Sequence, residues 1–179
     1  MNVTARTETS MGLVLVVDDE PSMRKLLAAI LTDSGVACGT AASGEEALLV
    51  LEQGEVTAIL ADLHMPCLSG MQLLMQVRPR YPNLAFLVVT GEDDVRVGIE
   101  AMRNGADDYL VKPLQSEVVL ASLRRALEKR FLLRQLEEYK RQLEKNGRRT
   151  NQTTPVGTPT IRSELWRNNS RPWCGHRSS

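Results

Sequence analysis

Residues 13–20 read LVLVVDDE, five aliphatic side chains in unbroken succession and then three carboxylates. A short run of Val and Leu ended abruptly by charge is the signature of a strand buried on both faces. Two more runs share that character, Ala58 to Ala61 and Ala85 to Val89, while Val36 to Ala41 and Asp107 to Val111 are weaker candidates of similar length. Helical patterns fill the intervals. Ser22 to Thr32 places Met23, Leu26, Leu27, Ile30 and Leu31 on one face, follows Pro21, and is stopped by Gly35. Ser43 with Glu46 forms a capping-box pattern ahead of Ala47, Leu48 and Leu51. Met71 to Val77 and Asp94 to Arg103 are shorter helices, the latter closed by Gly105, and a fifth starts at Gln115 and runs toward Asn146-Gly147. Alternation of five strands with five helices predicts an α/β fold built on a doubly wound, mostly parallel sheet.

The chain of 179 residues holds one such domain and an appendage too short for a second ordinary domain. No segment approaches the ~20 apolar residues of a membrane span, and Met1 to Ser10 lacks the apolar stretch of a signal peptide. A cytoplasmic location without membrane contact is therefore expected. Cys38, Cys67 and Cys174 lack CxxC spacing, which argues against a disulfide framework or a zinc site; Cys38 and Cys67 are expected to be buried or half-buried thiols. The net charge of zero hides an asymmetry. Residues 1–114 carry 16 acidic and 8 basic side chains, net −8, whereas residues 115–179 carry 6 and 14, net +8.

Asp18-Asp19, Asp62, Thr90 and Lys112 each stand where an apolar run stops. Each has an ordinary explanation taken alone: acids cap helices, a β-branched residue suits a strand, and a lysine at a strand end points to water. Joint placement is harder to dismiss. On neighbouring parallel strands these ends share one sheet edge, where three carboxylates, a hydroxyl and an ammonium suit a divalent cation and phosphate.

VVDDE, ADLHMPCLSG, VVTGE and DYLVKP, in this order and at these separations, resemble the receiver domain of bacterial two-component response regulators, the CheY-like group. The resemblance runs from about Leu13 to Glu128. It implies a flavodoxin-like five-stranded parallel sheet of order 2-1-3-4-5, extended here by the long C-terminal helix. It also implies the roles: Asp62 as phosphoacceptor for a sensor histidine kinase, with Asp18, Asp19, Asp62 and the His64 backbone carbonyl around Mg²⁺. Thr90, Tyr109 and Lys112 would bind the phosphoryl group and switch, and the Lys112-Pro113 bond would be cis. The His64 side chain, two residues after the acceptor, is expected to tune phosphate lifetime rather than carry phosphate. No external substrate is implied, only phosphotransfer to the chain itself and its autodephosphorylation.

The organisation expected is a disordered start (1–11), the receiver (12–128), a helical or coiled-coil extension (129–145) and a disordered basic tail (146–179). Leu132, Leu136, Tyr139 and Leu143 repeat at four-three-four spacing, pointing to a homodimer through the C-terminal helix. ALEKRFLLRQLEEYKRQLEK resembles the linkers that join receivers to HD-GYP phosphodiesterase or other output domains, so an unnamed downstream protein is the expected target. The tail's composition suggests a truncated or frame-altered gene. The alternative reading is a transcriptional regulator whose basic C-terminal segment binds DNA. Lacking a helix-turn-helix, nucleic acid is the less expected partner. An aspartyl-phosphate hydrolase would need a D-x-D nucleophile on the first strand, where this chain has adjacent Asp18-Asp19.

Overall fold

The computed structural model describes residues 12–54, 56–91 and 95–150. The expected disordered start (1–11) and residues 151–179 of the expected tail, with Trp166, Trp173, Cys174 and His176, lie outside the described residues. The chain divides into two units, Met1–Lys140 and Arg141–Ser179. In the first, ten elements alternate: β1 (Leu13–Val17), α1 (Pro21–Asp33), β2 (Cys38–Ala41), α2 (Gly44–Glu52), β3 (Val56–Asp62), α3 (Gly70–Arg80), β4 (Ala85–Thr90), α4 (Val95–Arg103), β5 (Asp108–Val111) and α5 (Ser116–Thr150). The last of these continues into the second unit, whose residues 141–146 are exposed.

All strand pairings are parallel, and the sheet order is β2-β1-β3-β4-β5. Because side chains alternate across a strand, each central strand feeds two cores. Leu15, Val17, Ile59, Ala61, Phe86 and Val88 pack with Ala47 and Leu51 of α2, Leu73, Leu74 and Val77 of α3, and Ala101 of α4. Val14, Val16, Leu60, Leu87 and Val89 face the other way onto Leu27, Ile30 and Leu31 of α1 and Val119, Leu123 and Ala126 of α5. Each fully buried Val, Leu, Ile or Phe side chain here stabilises the fold by about 1.5–3 kcal/mol. No helix among the described residues is long and apolar enough to cross a membrane.

Helix ends follow local chemistry. Pro21 opens α1, and Gly35 takes φ 75° just beyond its end. Ser43 caps α2 by accepting from the Glu46 amide, while the Glu46 carboxylate reaches back to the Ala42 amide rather than to Ser43. Ser69 and Gln72 build a full capping box at α3, which therefore begins at Gly70 rather than Met71 and runs past Val77 to Arg80, with Pro79 tolerated in its final turn. The second strand is shorter than expected, because Val36 still closes the end of α1 through its bond to the Leu31 carbonyl at 3.0 Å. At the other extreme, α5 passes the stop expected at Asn146-Gly147 and reaches Thr150. A glycine within a helix costs only about 1 kcal/mol.

Register places the strand ends in one row. Val17 pairs with Ala61, Asp62 with Val89, and Thr90 with Val111. Asp18, Asp62, Thr90 and Lys112 therefore emerge side by side at the C-terminal edge of four adjacent strands.

Candidate functional site

Asp18 sits at the turn from β1 into α1 and is fixed on three sides. Its amide donates to the Ala41 carbonyl at 3.3 Å, its Oδ1 accepts from the Glu20 amide at 2.8 Å, and its carbonyl accepts from Arg24 Nη1 at 2.5 Å. The remaining oxygen, Oδ2, is buried and has no hydrogen-bond partner among the described residues. It faces Lys112 Nζ at 3.8 Å, and the same ammonium lies 3.5 Å from Asp62 Oδ1. Burial pushes the Asp18 carboxyl above the ordinary aspartate range; the Glu20 amide opposes this, Asp62 adds to it, Lys112 opposes it, and Asp19 adds again.

Asp62 is the last residue of β3 and is buried. The chain leaves it tightly: the Leu63 amide bonds to Val89 of β4 at 3.0 Å, and the Gly70 amide returns to the Leu63 carbonyl at 3.2 Å. Gly70 is required there, since a β-carbon would overlap the Asp62 carbonyl oxygen. Asp19 is exposed beside the pocket. Ligand atoms of Asp18, Asp19 and Asp62 all lie within 4.8 Å of one another. Three converging carboxylates, one with a buried oxygen lacking a hydrogen bond, are a donor set that fits a hard divalent cation.

Thr90 ends β4 fully buried, and among the described residues its hydroxyl makes a long 3.4 Å bond to the Gly91 carbonyl. Its own carbonyl accepts the Lys112 amide at 2.8 Å, so the two residues are joined through the backbone. The Lys112-Pro113 bond is cis. Tyr109, on β5, is half-buried against α4, where a β-carbon at Gly98 would come within 3.1 Å of its ring. His64 is exposed. Cys38 is half-buried as expected, but Cys67 is exposed, because the turn after Pro66 puts it at φ 65° and turns it outward.

The sequence matches the family described as "Response regulator receiver domain" over residues 14–124. The chain belongs to the response regulator receiver family. Over 116 residues this receiver is 35% identical to the DNA-binding transcriptional regulator NtrC of Salmonella typhimurium, covering 65% of this chain and 25% of that protein. It is equally identical, over 120 residues, to the C4-dicarboxylate transport transcriptional regulatory protein DctD of Pseudomonas aeruginosa, covering 67% and 26%. The receiver chain thus spans about a quarter of the length of these curated relatives. Among solved structures, a response regulator receiver domain protein from Clostridium thermocellum aligns with TM-score 0.64 at 30% identity, covering 68% of this chain and 98% of that one. The receiver domain of NtrX from Brucella abortus aligns with TM-score 0.63 at 31% identity, covering 64% and 98%.

One feature of the receiver escaped the sequence. Asp107, just before β5, is a buried carboxylate surrounded by Arg78, Lys129 and Arg130. Its partners are 29 and 23 residues away for the two arginines, so no local motif could announce them.

Proposed function

We propose that this receiver accepts a phosphoryl group on Asp62 from a sensor histidine kinase and converts that event into a change of partner binding. The observation that carries the proposal is the buried pair Asp18 and Asp62 sharing one ammonium, Lys112, at the edge of the sheet. A carboxylate oxygen of Asp62 attacks phosphorus; a P–O bond forms, the donor's P–N bond breaks, and the imidazole nitrogen leaves with the electron pair. Mg²⁺ held by Asp18, Asp19, Asp62 and the His64 backbone carbonyl would neutralise charge on the incoming phosphoryl oxygens. Lys112 is set to turn from the carboxylates to a phosphoryl oxygen, and the weakly bonded Thr90 hydroxyl to bond another.

The new group adds about −1.5 to −2 charge beside Thr90. Movement of Thr90 toward it would open space that Tyr109 fills by turning inward, altering the face made by α4, β5 and α5. Dimerisation through α5 is part of the same proposal, supported by the exposed Leu132, Leu136, Tyr139 and Leu143. Acetyl phosphate with a magnesium salt should add one phosphate to the wild-type chain and none to Asp62→Asn. Undiminished labelling of that variant would refute the assignment.

The second reading, transcriptional regulation, is favoured by the names of the NtrC and DctD relatives and by the basic half of the chain. It predicts duplex DNA binding that weakens steeply with salt. A chain that shows no DNA retention at low ionic strength would rule it out.

A further inference from the structure

At the edge of the sheet opposite the acidic pocket, one fully buried carboxylate serves three cations. Asp107 Oδ2 accepts from the Phe86 amide at 3.0 Å, from Arg130 Nε at 2.8 Å and from Arg78 Nη2 at 3.3 Å. Its Oδ1 faces Arg130 Nη2 at 2.8 Å and the half-exposed Lys129 Nζ at 3.2 Å. Arg130 does more than pair. Nη1 donates to the Pro82 carbonyl at 3.0 Å in the α3–β4 connection, and Nη2 to the Gly105 carbonyl at 3.2 Å in the α4–β5 connection. One side chain of α5 is thereby buttoned to three residues in two connections, Pro82 between α3 and β4, and Gly105 and Asp107 between α4 and β5.

Its place along the helix gives this meaning. Ala126 and Leu127 are the last apolar side chains of α5 packed in the core, whereas Phe131, Leu132 and Leu133 are already exposed. Arg130 is thus the anchor where the helix leaves the domain. The cluster is also overloaded with positive charge, and Arg78 lies below the ordinary arginine range through burial and the nearby Arg130 cation. Removing the sole partner of a buried charge is heavily destabilising. Here Arg130 can withdraw without orphaning Asp107, because Arg78 stays on the same oxygen and holds itself in place through the Leu84 carbonyl at 2.8 Å.

We propose that Asp107, Arg78 and Arg130 form a latch. Arg130 holds the foot of α5 in the unmodified receiver, and a shift of β5 leaves Asp107 with Arg78 and frees the helix beyond Lys129. The link to β5 is direct: Asp107 precedes the strand, and Tyr109 and Lys112 lie on it and just beyond. This coupling rests on the Asp62 reading, whereas the anchoring by Arg130 does not. Two arrangements that each satisfy the carboxylate are what a reversible switch needs.

Hydrogen exchange over residues 127–134 of the full chain, with Mg²⁺ and with or without beryllofluoride, tests both parts. Arg130→Met should accelerate exchange there about tenfold without beryllofluoride and show little further response to it. The wild type should accelerate only when beryllofluoride is added, and Arg78→Met, lacking the substitute partner, should respond less. Arg130→Lys, which keeps the charge but cannot span three acceptors, should exchange at an intermediate rate and serves if the methionine variant fails to fold. Wild-type exchange rates in the Arg130 variants would overturn the anchor. Protection around Asp62 and Thr90 by beryllofluoride, with residues 127–134 unchanged, would overturn the coupling while leaving the Asp62 reading intact. No effect at Asp62 would defeat that reading and the coupling with it, and the Arg130 variants would still judge the anchor.

Discussion

A methyl group at position 70 would run into the Asp62 carbonyl oxygen, with the Leu63 α-carbon 3.1 Å away as well. Neither is the free end of a side chain, so the backbone itself must move. Gly70→Ala should destabilise the fold by about 2–4 kcal/mol in urea titration, and phosphate labelling of the molecules that remain folded should slow, because Asp62 is displaced. Asp18 predicts the opposite sign. Its burial penalises the charged form, so Asp18→Asn should stabilise the metal-free chain by about 1 kcal/mol. The same variant should lose most of the rise in Tm that a magnesium salt gives the wild type, a rise that follows from ligand binding to the folded state alone. Thermal scans with chelator and with Mg²⁺ check both halves.

Among the elements, β5 is tied to α5 at Asp108, whose Oδ2 accepts from Arg125 Nη2 at 2.8 Å and whose Oδ1 accepts from the Tyr109 amide at 3.0 Å. Burial alone would raise this carboxyl, but bonds from Arg125, Ser122 and Tyr109 outweigh it and hold it below its ordinary 3.8. A folded value below the unfolded one means stability present above about pH 3.8 and lost as pH falls through the folded value. Asp108→Asn should therefore be less stable than wild type at pH 7, with the gap closing under acid; a gap constant down to pH 2 would contradict the assignment. The alternation of β1 to β5 with helices, and the candidate pocket, were legible because the ends of β1, β3, β4 and β5 each carry a candidate residue at a fixed place in a short motif. Ser69 caps α3 ahead of the apolar pattern that begins at Met71, where helical periodicity carries no mark of a cap. Cys67 is exposed against expectation, since a positive φ in a turn leaves no mark in hydrophobic periodicity. Asp107 was invisible for a different reason: which α5 side chain reaches it depends on how helix and sheet pack, not on any neighbour in sequence.

For the molecule as a whole, the question is what a change at α4, β5 and α5 delivers. Two kinds of self-association are available to a chain split into a −8 part and a +8 part. One is charge pairing of the acidic half of one copy with the basic half of another; the other is packing of Leu132, Leu136, Tyr139 and Leu143 across two helices. Salt separates them. At about 0.5 M salt the Debye length falls to roughly 4 Å, so contacts between exposed charges fade while apolar burial persists. Under two heptads is a short seam, so association should depend on concentration. Light scattering after gel filtration should show dimer mass rising with protein concentration, rising further with beryllofluoride and Mg²⁺, and surviving high salt. Leu136→Glu, which puts a charge at the middle of the seam, should return the chain to monomer mass under all of these conditions. Dimers that dissolve in salt yet tolerate Leu136→Glu would assign association to the charge asymmetry and remove α5 from the output.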